Sequence, residues 1–161
     1  MDSLHRFVED FVRHQESLDR AAVTACFAPA EPVLYIAEEI EAPLTDLAQI
    51  AAYWDANGRA FHRMKLRHSP VTCRPISAEL AIAHYGLHWD VAVRSAQPPG
   101  WQTPIGGDVI VSLVARRAQP NWHILHYTET TLGALPLIKR AYEKAVDPQF
   151  AALLLTEAAG R

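Results

Sequence analysis

Cysteine is scarce in this sequence: Cys26 and Cys73 are the only two. They form no CxxC pair, so a structural zinc site built on that spacing is excluded. Two isolated thiols read as reduced and buried, in a cytoplasmic protein. Long apolar runs are missing too. None approaches the roughly 20 residues of a membrane span. The N-terminal MDSLHRFVEDFVRHQESL is charged throughout and has no apolar signal-peptide core. No membrane partner is therefore expected. Positive charge is not in excess, since the net charge is −3 with histidine neutral. Binding along a phosphate backbone needs a strongly basic face, so nucleic acid is not an expected partner either. The sequence contains no HExxH, GxSxG, P-loop or GxGxxG motif. No ligand spacing points to a metal, and no cofactor is expected.

What is present is an ordinary globular composition: 161 residues, half of them hydrophobic and a fifth charged. That suits one domain with one core. Leu4, Phe7, Val8, Phe11 and Val12 follow a possible Asp2-Ser3 cap at helical spacing. A second helix opens at Ser17 or Asp19, runs through Phe27, and is closed by Pro29 and Pro32. Val33–Ile36 reads as a short strand. The acidic run Glu38, Glu39, Glu41 after it reads as a solvated edge. Thr45 or Asp46 caps a third helix, which the spacing predicts to end at Asn57-Gly58. Two long strands follow, Met64–Pro75 and Ser77–Val93. A loop over 95–104, a strand over Asp108–Arg116 and a turn at Gln119-Pro120-Asn121 lead to the last strand, Trp122–Thr131. A helical tail over 134–157, broken at Asp147-Pro148, ends the pattern. Helices first and hairpin-linked strands later predict an α+β fold: a strongly curved antiparallel sheet with helices on its concave face.

Histidine is plentiful, with eight residues, and three of them stand in the long-strand pair. Side chains alternate along a strand. Leu80, Ile82, His84, Gly86, His88 and Asp90 therefore share one face of the second long strand. Ala81, Ala83, Tyr85, Leu87, Trp89 and Val91 share the other. The first face turns from apolar to polar along its length, as the wall of a pocket would. On the final strand, Trp122, Ile124, His126 and Thr128 are expected on one face, and His123, Leu125, Tyr127 and Glu129 on the other.

The order of elements resembles the nuclear-transport-factor-2-like superfamily, also called SnoaL-like or cystatin-like α+β cones. The residues that carry the resemblance are the early helices ending at Phe27, the strand at Tyr35 and the helix around Tyr53-Trp54. The pair Met64–Pro75 and Ser77–Val93 comes next, and Trp122-His123-Ile124 with His126 completes it. The resemblance covers residues 2–131 and implies a conical pocket between sheet and helices. Members include ketosteroid isomerase, scytalone dehydratase, polyketide cyclases and cofactorless lyases of lignin-derived diaryl compounds. Others are non-catalytic, such as the β subunits of ring-hydroxylating dioxygenases. Dehydratase-like members use an aspartate between the first two helices and a histidine early in the third strand. Here those places fall near His14, Gln15 and Glu16, where no aspartate stands, and near Leu66, one step from His68.

The resemblance and the residues together imply acid–base chemistry on an apolar aromatic or cyclic molecule, most simply by a lyase or dehydratase. His68, His84, His88, Tyr127 and Glu129 are the candidate catalytic residues. Imidazole titrates near neutrality, a carboxyl with raised pKa relays protons, and a phenol stabilises an oxyanion. Tyr35, Tyr53, Trp54, Trp89, Asp90 and Trp101 are candidates for substrate binding. The alternatives are a ligand-binding or assembly subunit, or an isomerase or cyclase. An exposed convex sheet face implies a homodimer.

Overall fold

Leu4, Val8, Phe11, Val12 and Gln15 recur on one side of helix α1 (Asp2–Glu16), and all five are buried. This is the periodicity of an amphipathic helix. Four of the five are apolar and Gln15 is the exception. The computed structural model describes residues 2–94, 104–118 and 120–131, together with Pro148. The expected helical tail therefore lies outside the described residues, as does Trp101. Leu18, with φ 56°, takes the left-handed conformation after α1. Asp19 then caps α2 (Arg20–Ala25), its carboxylate accepting from Ala22 N–H at 3.0 Å. Strand β1 (Leu34–Ile36) leads to α3 (Leu47–Ala60). Asp46 caps α3 by accepting from Gln49 N–H at 2.8 Å. The helix does not stop at Asn57-Gly58 but runs through both to Ala60. Burial of Ile50 and Trp54 along it outweighs the roughly 1 kcal/mol that an internal glycine costs.

The sheet is built from β1, β2 (Phe61–His68), β3 (Thr72–Pro75), β4 (Leu80–Val93), β5 (Ile105–Ala118) and β6 (Asn121–Thr131). Its order is β1-β6-β5-β4-β2, with β3 also on β4. All pairs are antiparallel except β1 with β6, which is parallel. The first expected long strand is in fact two, β2 and β3, interrupted at Ser69-Pro70-Val71. Proline supplies no N–H to the ladder. Ser69 bridges the gap with its side chain, whose Oγ accepts from Gly86 N–H at 2.9 Å.

The orientation of β4 decides where chemistry can occur. Ala81, Ala83, Tyr85, Leu87 and Val91 are buried against the helices. The apolar face thus looks inward, and the face carrying His84, His88 and Asp90 looks out. On β6 simple alternation fails. Val114 pairs with His126 but Ala115 pairs with Ile124, which leaves Leu125 as one extra residue. Such a bulge flips the side-chain phase. Trp122 and Ile124, before it, therefore face the core together with Tyr127, after it.

Candidate active site

The concave face of the sheet and the helices enclose a cavity of about 480 Å³. The sheet contributes Met64 and Leu66 from β2, Leu87, Trp89 and Val91 from β4, and Glu129 from β6. Tyr53, Trp54 and Asn57 of α3 form the opposite wall, and Gln15 closes the end of α1. Beneath lies an aromatic floor. Tyr35 stacks on Tyr127 with ring centroids 4.8 Å apart, and Phe11 meets Tyr127 edge-on at 5.6 Å.

Polar groups concentrate at one end. The Tyr127 hydroxyl donates to Glu129 Oε1 at 2.5 Å, and Gln15 Nε2 donates to that same hydroxyl at 3.5 Å. Glu129 Oε2 is held only loosely, by Glu38 N–H at 3.4 Å. Burial raises the Glu129 carboxyl to about 7. The nearby Glu39 and Glu38 carboxylates push in the same direction, against the hydrogen bonds from Tyr127 and the Glu38 backbone. Burial also holds the phenols of Tyr35 and Tyr127 well above their usual range, so both stay protonated.

Glu38 and Glu39 stand on a turn that leaves β1 and folds back on it. Tyr35 N–H donates to Leu44 O at 2.9 Å, and Leu44 N–H to Tyr35 O at 3.0 Å. This closure brings both carboxylates to the cavity. Glu38 accepts from Trp89 Nε1 at 2.9 Å, and Glu39 accepts from the Tyr53 hydroxyl. Trp89 in turn lies flat across Gly107. A Cβ there would sit 3.1 Å from the indole Cζ2. Gly107→Ala is therefore expected to push the ring aside, weaken its bond to Glu38 and cost about 1–3 kcal/mol. The indole N–H resonance of Trp89 and the urea midpoint would show it; an unmoved resonance would refute it.

No family model matches the sequence, and no curated protein does. Solved structures do match. One is a nuclear transport factor 2-like superfamily protein from Salmonella enterica serovar Typhimurium: TM-score 0.70, 15% identity, covering 83% of this chain and 93% of that one. The chain has the nuclear-transport-factor-2-like fold. A ketosteroid isomerase-like protein from Erwinia carotovora atroseptica matches with TM-score 0.66 and 10% identity, over 82% of this chain and 95% of its own. A hexachlorocyclohexane dehydrochlorinase from Novosphingobium barchaimii matches with TM-score 0.67 and 7% identity, over 82% and 86%.

Within this nuclear-transport-factor-2-like cone, Tyr35, Tyr53, Trp54, Trp89 and Glu129 line the cavity, and Tyr127 backs Glu129. The histidines stand elsewhere. His68 keeps the inward face of β2 but is exposed at the strand's far end. There its Nδ1 meets Ser69 O at 2.9 Å and its ring lies edge-on to Tyr85. His84 is on the outer face, with Nδ1 2.7 Å from Ser112 Oγ. His88 is on the outer face as well, between Asp108 and Asp90 at 2.8 and 3.2 Å, and those hydrogen bonds raise its pKa. Asp90 also pairs with Arg67 at 3.0 Å on that outer face and does not line the cavity. The expectation that His84, His88 and Asp90 look inward is corrected by the burial of their neighbours Ala83, Tyr85 and Leu87. Of the acidic run expected as a solvated edge, Glu39 and Glu41 are exposed, but Glu38 is half-buried, and both Glu38 and Glu39 also line the cavity. Gln15, near the place where dehydratase-like members carry an aspartate, is not among the expected site residues, yet it continues the spacing of Leu4, Val8 and Phe11 and lines the cavity. Among the described residues no group of three His, Cys, Asp or Glu is placed to hold a metal ion.

Proposed function

We propose that the cavity is the active site of an enzyme that transfers a proton on a small apolar ring compound, with Glu129 as the transferring group. The simplest reaction is a dehydratase-type elimination. The carrying observation is a carboxyl poised near neutrality, bonded by a phenol, at the polar end of an aromatic-walled cavity. Oε1 is occupied by Tyr127, which leaves Oε2 to react. Ionised Glu129 takes a proton from a substrate carbon. The released electron pair forms a carbon–carbon double bond as the adjacent carbon–oxygen bond breaks. The departing hydroxyl then takes the proton back from Glu129 and leaves as water, which restores the carboxylate. Two structural neighbours bear names that fit this reading, a dehydrochlorinase and a ketosteroid isomerase-like protein.

A panel of cyclic and aryl-substituted alcohols, scored for loss of water, tests the proposal. With a substrate in hand, kcat/KM should rise with pH and level off above about 7, because the ionised carboxyl is the active form. Tyr127→Phe removes a donor that favours that ionised form, so the rising limb should move to higher pH. A limb unmoved by Tyr127→Phe, or a profile flat from pH 5 to 9, would exclude Glu129 as the base. Ring compounds that bind without turnover would favour a binding module instead.

A further inference from the structure

Glu38 is held at three points. Its Oε1 accepts from Trp89 Nε1 at 2.9 Å, and its Oε2 accepts from the Thr131 hydroxyl. Its own N–H donates to Glu129 Oε2 at 3.4 Å. The arrangement follows from the strands. Tyr127, Glu129 and Thr131 stand two apart on β6 after the bulge, so their side chains share a face. The parallel ladder between β1 and β6 ends at Ile36 and Thr128. Two residues on, Glu38 turns its N–H to a side chain of β6 rather than to its backbone. Trp89 reaches Glu38 from β4 by lying across Gly107 of β5, its pairing partner, which has no Cβ to stand in the way. One acidic side chain thus ties the turn after β1 to both β4 and β6.

The bonding also separates the roles of the two glutamates. Both oxygens of Glu38 are engaged by side-chain donors, whereas Glu129 Oε2 has only the one long bond from the Glu38 N–H. On Glu129 the two parts of Glu38 pull in opposite senses. The N–H favours the ionised carboxyl, and the Glu38 charge opposes it.

We propose that Glu38 is a positioning residue for Glu129: its carboxylate, clamped by Trp89 and Thr131, fixes the backbone N–H that holds the reacting oxygen. The inference rests on Glu129 being the proton-transferring group, as argued under the proposed function. The Thr131 hydroxyl gives its hydrogen to Glu38, so it reaches Glu129 through Glu38.

Carboxyl-carbon NMR titration of the whole chain, labelled at glutamate, tests this without a substrate. The Glu129 resonance is the one lost in Glu129→Gln, and its midpoint should lie at about 7. Thr131 is exposed at the end of β6, so Thr131→Val keeps the strand's shape and removes only the hydroxyl. The Glu38 charge stays while its anchor loosens, and the midpoint should rise by about half a pH unit, the worth of a weak hydrogen bond. Thr131→Ser keeps the hydroxyl and should restore the wild-type midpoint. Glu38→Gln keeps an acceptor for Trp89 and offers Thr131 a donor, but it carries no charge. Its midpoint should fall below that of wild type. A turn that served only to hold the fold would lower the melting temperature in these variants and leave the titration where it was. A midpoint that does not rise in Thr131→Val, or does not fall in Glu38→Gln, overturns the proposal; so does a rise in Thr131→Ser equal to that in Thr131→Val. Opposite shifts without turnover of any ring alcohol would sink the enzymatic reading and leave the clamp standing.

Discussion

Glu129→Gln should abolish turnover and make the protein more stable, but only in one pH range. In the folded chain Glu129 keeps its proton up to about pH 7; its ordinary value is 4.5. Between those two values the native state binds more protons than the unfolded state, so stability falls as pH rises. The loss begins above about 4.5 and is complete above about 7. Each pKa unit is worth about 1.4 kcal/mol, so the ionised carboxyl should cost about 3 kcal/mol at pH 8. Glutamine resembles the protonated acid and carries no charge to desolvate. The variant should therefore melt on the order of 10 °C higher than wild type at pH 8, with little difference near pH 4. Turnover should fall by about 10²- to 10⁴-fold, the usual contribution of a positioned acid–base group. Equal melting-point differences at pH 4 and pH 8 would mean that Glu129 does not ionise where its surroundings indicate.

Phe11→Ala should be the most damaging single truncation that leaves every lining residue in place. Phe11 has no exposed surface, and its ring meets Phe27 at 5.9 Å and Tyr127 at 5.6 Å, both nearly edge-on. Emptying such a site costs about 3–5 kcal/mol, which urea unfolding would read directly. The hole lies against Tyr127. With nothing behind it the phenol can settle away from Glu129, and a weaker hydrogen bond there raises the carboxyl further. The rising limb of the pH profile should then move up, as in Tyr127→Phe. Phe7→Ala, on the same helix but half-buried, should cost less and leave the profile unchanged. If Phe7→Ala destabilises as much as Phe11→Ala, the stripe through Phe11 is not the inner one.

The fold was legible because its signals are local and repeated. The stripe on α1, the caps at Asp19 and Asp46 and the alternation of β4 are all properties of neighbours in sequence. The same alternation held the answer to which face of β4 is buried. The face without a polar atom, apart from one phenol and one indole, went to the core, and the mixed face that looked like a pocket wall met solvent. On β6 the order of residues could not reveal the extra residue at Leu125, because a bulge is fixed by pairing with β5. Glu38 and Glu39 were hidden for a related reason. Three glutamates after a short strand look solvated unless one knows that Leu44 returns to pair with Tyr35. Gln15 alone gave a warning: it is a polar residue on an otherwise apolar stripe.

That return of the chain to Tyr35 has a further consequence for the cavity. A segment stapled at its stem by two backbone hydrogen bonds has little freedom left to lose. The wall it forms is therefore set before any guest arrives. Such a site discriminates by fit to a fixed template, and little of a guest's affinity is diverted into ordering the surface it meets.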